Sequence, residues 1–344
     1  MDENILIYEV KSGDTLDKIS VKIGMTGDQL KDFHNSHCEK MEKLWFNNLV
    51  GVRQIIIPKQ YKNQDQLRDA LAKELPPSSI TRDFYTDSYT VKETFYGSSE
   101  IDFEIDYKVD IAFRKKEETN IPDEIVDVKC YDFRKNGAIP DDKMSAVSLA
   151  CMAGIYPISF IIPFQGKISG IYEFGNLKKK FNYKKQELSD FFKGEIYEAY
   201  FDKFSASLEK ENDVLKQLSS SLLYQLLFPR MEWFHKAGNW TETFYFLKNS
   251  FPVNCSMSAR YNHKGTGIVE TSILGFIRDA FTLQEILRGT ASDSEPEQPA
   301  DGDVELRYKT DKKTKKMLVA EASVTFRNDN EIYRKQTLKL TRNE

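Results

Sequence analysis

His34, His37, Cys38 and Glu39 fall within six residues, and imidazole, thiolate and carboxylate are the groups that hold zinc and other soft metals. Helical spacing would put His34 and Cys38, four apart, on one face. No distant ligand completes the set, so the cluster reads as the wet side of a helix and its frayed end, and no metal is expected. Asp102, Glu104 and Asp106 form a second concentration of acid. On a strand, successive members would stand about 7 Å apart. That is too far to share a proton, although calcium or a lysine on another strand could bridge them. A solvated sheet face is the expected role. Lys309, Lys312, Lys313, Lys315 and Lys316 make a basic run with only Tyr308 as a neighbouring aromatic. A hairpin tip is expected there, and no nucleic-acid partner. Trp233 and Trp240 flank His235, and aromatics so placed usually serve a core. The chain has no phosphate-cradling glycine loop, no GxSxG and no plausibly spaced Cys/His dyad. No catalytic residue and no cofactor are therefore expected, and the chain reads as a binder and not an enzyme.

The histidine cluster must sit on some element, and the pattern around it is regular. Leu6, Tyr8 and Val10 alternate as a short strand does. Ser12-Gly13-Asp14 breaks that strand, and Asp14 is placed to cap a helix carrying Leu16, Ile19 and Ile23. Gly24 is placed to end it. Thr26 and Gln29 have capping-box spacing before a second helix with Leu30 and Phe33. After a loop come Gly51 and Gln54-Ile55-Ile56-Ile57-Pro58, whose proline suits a strand end. The predicted order is strand, helix, helix, strand. Its expected interior is Leu6, Tyr8, Leu16, Ile19, Leu30, Phe33, Ile55 and Ile57.

Tyr8-x-Val10-x-x-Gly13-Asp14-Thr15-Leu16-x-x-Ile19, then Gly24, Leu30, Asn35, Leu49-x-Gly51 and Ile55-x-Ile57-Pro58, resembles the LysM pattern over residues 6–58. That resemblance implies a βααβ module and a shallow groove for N-acetylglucosamine chains of peptidoglycan or chitin. Backbone groups of Gly13-Asp14-Thr15, with Leu16 following, and of the loop through Asn48 to Gly51 would meet the acetamido groups. Trp45 would stack on a sugar face, with Phe46 beside it. One departure stands out: the loop from Ser36 to Asn48 is longer than the family's usual one and carries Lys40, Lys43, Trp45 and Phe46.

Polar residues 59–79 read as a linker containing a short helix over 64–75. Residues 80–344 read as a second domain. Ile101–Arg114 alternates apolar and charged residues along its length, as an antiparallel strand with one wet side does. Ile125–Phe133 is expected to pair with it. Asp141–Met152 reads as a helix capped by Asp141. Tyr156–Pro163 and Ile168–Phe174 read as a hairpin turning at Gln165-Gly166-Lys167. A helical stretch over 177–231, in two or three pieces, precedes strands near 241–246, 253–262 and 268–274. Gly289–Asp303 is acidic and small-residued, as loops are. A final meander of Val304–Tyr308, Met317–Arg327 and Glu331–Leu340 would place Leu318, Ala320, Ala322, Val324 and Phe326 inward. The sum is an α+β fold, a curved antiparallel sheet with its helical middle segment packed on one side. The element order weakly resembles half-barrel lipoproteins of the LolA and LppX type and related Bacteroidetes proteins, which implies a hydrophobic-ligand carrier.

Forty per cent hydrophobic residues and a formal net charge of −4 describe an ordinary globular chain with no electrostatic case for nucleic acid. Cys38, Cys130, Cys151 and Cys255 are scattered, so free thiols are expected. The opening MDENILIYEV lacks a basic, apolar leader, and no run is long enough to span a bilayer. A cytoplasmic location is the expectation. With the longer aromatic loop, this favours an adaptor docked on a protein partner in a contractile injection, type VI secretion or tail-like assembly. Peptidoglycan binding at the envelope is the first alternative, and a lipid or hydrophobic-ligand carrier the second.

Overall fold

A computed structural model describes residues 5–46, 48–59, 73–97, 100–114, 122–263, 265, 267–289 and 299–343. It separates into two compact units, Met1–Glu74 and Leu75–Glu344. The helix expected over 64–75 lies, up to residue 72, outside the described residues. So do residues 290–298 of the acidic segment. Among the described residues no helix is long and apolar enough to cross a membrane.

The first unit has the expected order: β1 (Ile5–Glu9), α1 (Leu16–Lys22), α2 (Gly27–His37) and β2 (Gln54–Pro58). The strands pair antiparallel, Tyr8 opposite Ile55. The cap of α1 is Thr15 and not Asp14, its hydroxyl accepting from Lys18 N at 3.2 Å. Asp14 sits one residue too early and instead closes the turn before the helix, accepting from Lys11 N at 2.9 Å and Tyr8 OH at 3.0 Å. Thr26 and Gln29 form the full capping box. The interior is Leu16, Ile19, Ile23, Leu30, Leu44, Leu49, Ile55 and Ile57. Leu6, 42% exposed, and half-buried Phe33 fall outside it. Leu44 and Leu49, both from the loop, take their place, so the loop is part of the fold's closure.

The second unit is built on one sheet. Its strands are β3 (Ser88–Tyr96), β4 (Ile101–Phe113), β5 (Glu124–Lys135), β6 (Ile158–Ile162), β7 (Gly170–Ile171), β8 (Asn239–Phe244), β9 (Val253–Asn262), β10 (Ile268–Ile277), β11 (Asp301–Asp311), β12 (Met317–Asn328) and β13 (Glu331–Arg342). They lie in the order β7-β6-β5-β4-β3-β13-β12-β11-β10-β9-β8, each antiparallel to its neighbours. Two meanders, one from each end of the unit's sequence, thus meet where β3 pairs with β13. The segment between β7 and β8 must travel from one sheet edge to the other. It does so as α4 (Gly175–Phe191), α5 (Glu195–Ser207), α6 (Glu211–Ser219), α7 (Leu222–Leu227) and a 3-10 turn at Met231–His235, after α3 (Lys143–Ile155) between β5 and β6. A last short helix, α8 (Leu283–Arg288), precedes β11. The middle segment is therefore four helices, with Gly194 at φ +126° in the break between α4 and α5. α7 lies over the middle of the sheet, where Tyr308 OH donates to the Leu226 carbonyl at 3.1 Å.

Local chemistry explains several boundaries. The helix expected from Asp141 begins one residue later, capped by the Asp142 carboxylate on Ser145 N at 2.8 Å. The turn at Gln165-Gly166-Lys167 forms, with Gly166 at φ +91° and a β-carbon there barred by the Pro229 carbonyl. In β12, Val319 faces Lys309 while Met317 faces Thr310, so Leu318 is an extra residue. This bulge carries Met317 into the core instead of Leu318, which is only half-buried.

The curvature brings the sheet's edges together. Lys167, in the turn between β6 and β7, reaches Glu242 on β8 at 3.0 Å. Arg230 Nε lies 3.3 Å from the same carboxylate, and Trp233 Nε1 donates to it at 3.1 Å.

Candidate functional site

In the first unit the loop between α2 and β2 begins at the histidine cluster. His34 is 2% exposed and is not on a wet face, contrary to the sequence expectation. Ile56 N donates to its Nδ1 at 3.0 Å, which leaves Nε2 to carry the proton and donate to the Glu42 carbonyl at 2.9 Å. A neutral side chain thus ties the helix to β2 and to the loop. Asn35 makes a second tie, its amide donating to the Leu44 carbonyl at 2.9 Å and accepting from Leu44 N at 2.7 Å. Lys31 Nζ donates to the Trp45 carbonyl at 3.2 Å. His37 stays exposed, and no group of three or more His, Cys, Asp or Glu is arranged to hold a metal among the described residues.

These ties hold the loop's backbone while its apolar side chains face outward. Trp45 is 74% exposed and Phe46 73%, with Met41 and Val50 also exposed. Asn48 is exposed as well, and Gly51 at φ +81° completes the turn into β2. The opposing loop is shaped by Gly13 at φ +87°, whose carbonyl accepts from Lys18 Nζ at 2.9 Å. Its neighbour Asp14 is committed to that loop, and the Lys11 N–H holds its carboxyl below the ordinary value. Val10 N donates to the Arg53 carbonyl at 2.9 Å, joining the bases of the two loops.

The eight residues that the resemblance assigns to a groove divide by role. Gly13, Asp14, Thr15 and Gly51 shape backbone, fully buried Leu16 supports the loop from beneath, and Trp45, Phe46 and Asn48 present side chains. Sequence reasoning missed the anchors Lys31 and His34. Their spacing from Asn35 on one helix was visible, but their acceptors are backbone carbonyls, which leave no sequence signal.

Asn35→Ala tests the anchoring. It orphans an N–H and a carbonyl of Leu44 and is expected to destabilise the first unit by about 1–3 kcal/mol. Amide exchange within 40–46 should accelerate while that of the large sheet stays as in the parent chain.

In the second unit the other clusters resolve into structure. Lys92 on β3 pairs with Glu104 at 2.9 Å, so the acidic row is a charged sheet face. The basic run forms the β11–β12 hairpin, with Lys312 Nζ on the His263 carbonyl at 2.7 Å. Trp233 is 1% exposed, and His235 Nε2 lies 2.9 Å from the Pro76 carbonyl.

Residues 8–33 match the LysM domain family model. No curated protein matches the chain. The N-terminal module is thus a LysM domain, in which the matched span runs from Tyr8 of β1 to Phe33 of α2.

Proposed function

We propose that the LysM module binds N-acetylglucosamine-containing glycan, peptidoglycan in the first instance, and that the chain acts by binding and performs no reaction through this module. One observation carries the reading. Trp45 and Phe46 stand exposed on a loop whose backbone is held by His34, Asn35 and Lys31, in a module whose other loop is shaped by Gly13 at φ +87°. Exposed rings on a held backbone lose little conformational freedom when they cover a sugar face.

The test is sedimentation of the full chain with purified peptidoglycan and with insoluble chitin, with soluble N-acetylglucosamine oligomers as competitor. Co-sedimentation that the oligomers reverse is expected. A chain that stays in the supernatant with both polymers would end this reading.

A second reading rests on Met41 and Val50, which extend the exposed apolar surface beyond the two rings. In it the same loop seats the module on a protein of a cytoplasmically assembled injection or tail-like machine. Capture of such a component from native cells, lost in a Trp45→Ala variant while glycan binding is absent throughout, would favour it.

A further inference from the structure

The inner face of the large sheet carries charge where β3, β4 and β13 meet beneath α3 and α7. A cavity of 420 Å³ opens there. Glu93 of β3 and Gln336 of β13 lie in it side by side, the Gln336 amide donating to Glu93 and Tyr107 OH donating to the second carboxylate oxygen at 3.4 Å. Both oxygens of Glu93 are thereby engaged. Arg334 donates one N–H to the side-chain oxygen Oε1 of Gln336 at 3.0 Å and lies 5.6 Å from the centre of the Phe95 ring. Lys248 stands exposed at the rim. Neither cation has an ion pair among the described residues, so two positive charges face one carboxylate. Burial pushes the Glu93 carboxyl up and the Lys248 and Arg334 cations down, so all three charges are held at a cost that one further anion beside the two cations would relieve.

The opposite wall supplies an unmet hydrogen bond. Tyr224 of α7 is 4% exposed, and its hydroxyl has the Tyr156 hydroxyl and the Cys130 thiol as polar neighbours but no well-formed hydrogen bond. Phe133, Leu149, Leu223 and Phe246 give the lining its apolar part, and Ser148, Ser220 and Ser221 add hydroxyls at other points of the wall. The volume is within the range of small-molecule sites.

We propose that this cavity binds a small organic carboxylate with an aromatic or aliphatic body, the anion set between Arg334 and Lys248 and the body against the apolar wall. A planar carboxylate matches the guanidinium fork. The single surplus charge suits a monoanion, whereas a phosphate dianion would face Glu93. A wholly apolar ligand, as a hydrophobic carrier would take, leaves both cations and the Tyr224 hydroxyl unmet.

The test is isothermal titration calorimetry on the full chain with 4-phenylbutyrate and octanoate, against 4-phenylbutanol and inorganic phosphate. Both carboxylates are expected to bind at least about tenfold more tightly than the alcohol and the phosphate. Lys248→Gln, at an exposed position that leaves the fold intact, should weaken them about tenfold, as should Arg334→Gln, and Tyr224→Phe should weaken them severalfold. Equal binding of alcohol and carboxylate, tighter binding of phosphate, undiminished binding by Lys248→Gln, or no heat from either carboxylate at millimolar concentration would each overturn the proposal.

Discussion

Replacing Trp45 and Phe46 together by alanine lowers affinity for N-acetylglucosamine polymers by about 30- to 100-fold and leaves the stability of the module unchanged. The first half follows from area. A sugar lying on one face of each ring removes on the order of 60 Å² of apolar surface from water per ring, about 1.5 kcal/mol at 25 cal/mol/Å². Two rings contribute about 3 kcal/mol, of which ordering the bound glycan takes back a part. The second half follows from exposure. At 74% and 73% exposed, neither side chain belongs to the packed interior of Leu16, Leu30, Leu44 and Ile55. The Trp45 carbonyl that receives Lys31 is backbone and survives the substitution. Surface changes of this kind move stability by less than about 0.5 kcal/mol. Binding isotherms with soluble chitin oligomers and a thermal unfolding curve check the two halves separately. Affinity within threefold of the parent would remove the rings from the groove and leave the backbone edges at Gly13 and Gly51 as the contact.

Those rings were legible in the sequence because they break a pattern, two large aromatics in a polar loop. The elements around them were legible for a related reason. Thr26 with Gln29, Gly24, and the Ile55/Ile57 alternation are local signals, and local signals survive folding. What failed was long-range. Asp14 and Thr15 are adjacent candidates for one cap, and the choice turns on Tyr8 OH and Lys11 N reaching Asp14 from across the turn. His34 looked solvated because helical spacing cannot say which backbone carbonyl will lie beside an imidazole. In the larger unit, β4 was plain because its alternation is nearly perfect over its length. β3 was not foreseen, since its inward row of Tyr89, Val91, Glu93 and Phe95 is interrupted by an acid. That interruption is the charged cavity itself. Leu318 misled because a single bulged residue reverses the faces of a strand, and nothing in the strand's own composition announces it.

Glu242 presents the same difficulty with the larger consequence for stability. It is 9% exposed on β8, where an alternating pattern would put an apolar residue. Its partners come from elsewhere in the chain: Lys167 at 3.0 Å, Arg230 at 3.3 Å and the Trp233 indole N–H at 3.1 Å. Burial pushes its carboxyl up, but Lys167, Trp233 and Arg230 outweigh burial and hold it below the ordinary value. Burial pushes the Lys167 ammonium down, against the pull of Glu242. Glu242→Ala therefore leaves a half-buried cation that the fold disfavours and an indole N–H with no acceptor. A loss of about 1–3 kcal/mol is expected, the cost of an unpaired buried donor, because Lys167 and Arg230 are a third or more exposed and water screens the charge left on them. The loss should fall on the contact between the two sheet edges, because Lys167 belongs to the β6–β7 turn and Glu242 to β8. The pH dependence follows from the direction of the carboxyl shift. A carboxyl lower in the folded state contributes stability that is whole above its unfolded value, about 4.3, and is lost as pH falls through the folded one. Urea unfolding from pH 6 down to pH 3 should show the parent chain losing stability over the lower part of that range. Glu242→Gln, which keeps the shape and one acceptor, should start less stable and lose less over the same range. Parallel curves for the two chains would mean that the edge-to-edge pair contributes nothing that titrates, and that the sheet holds its curvature by packing alone.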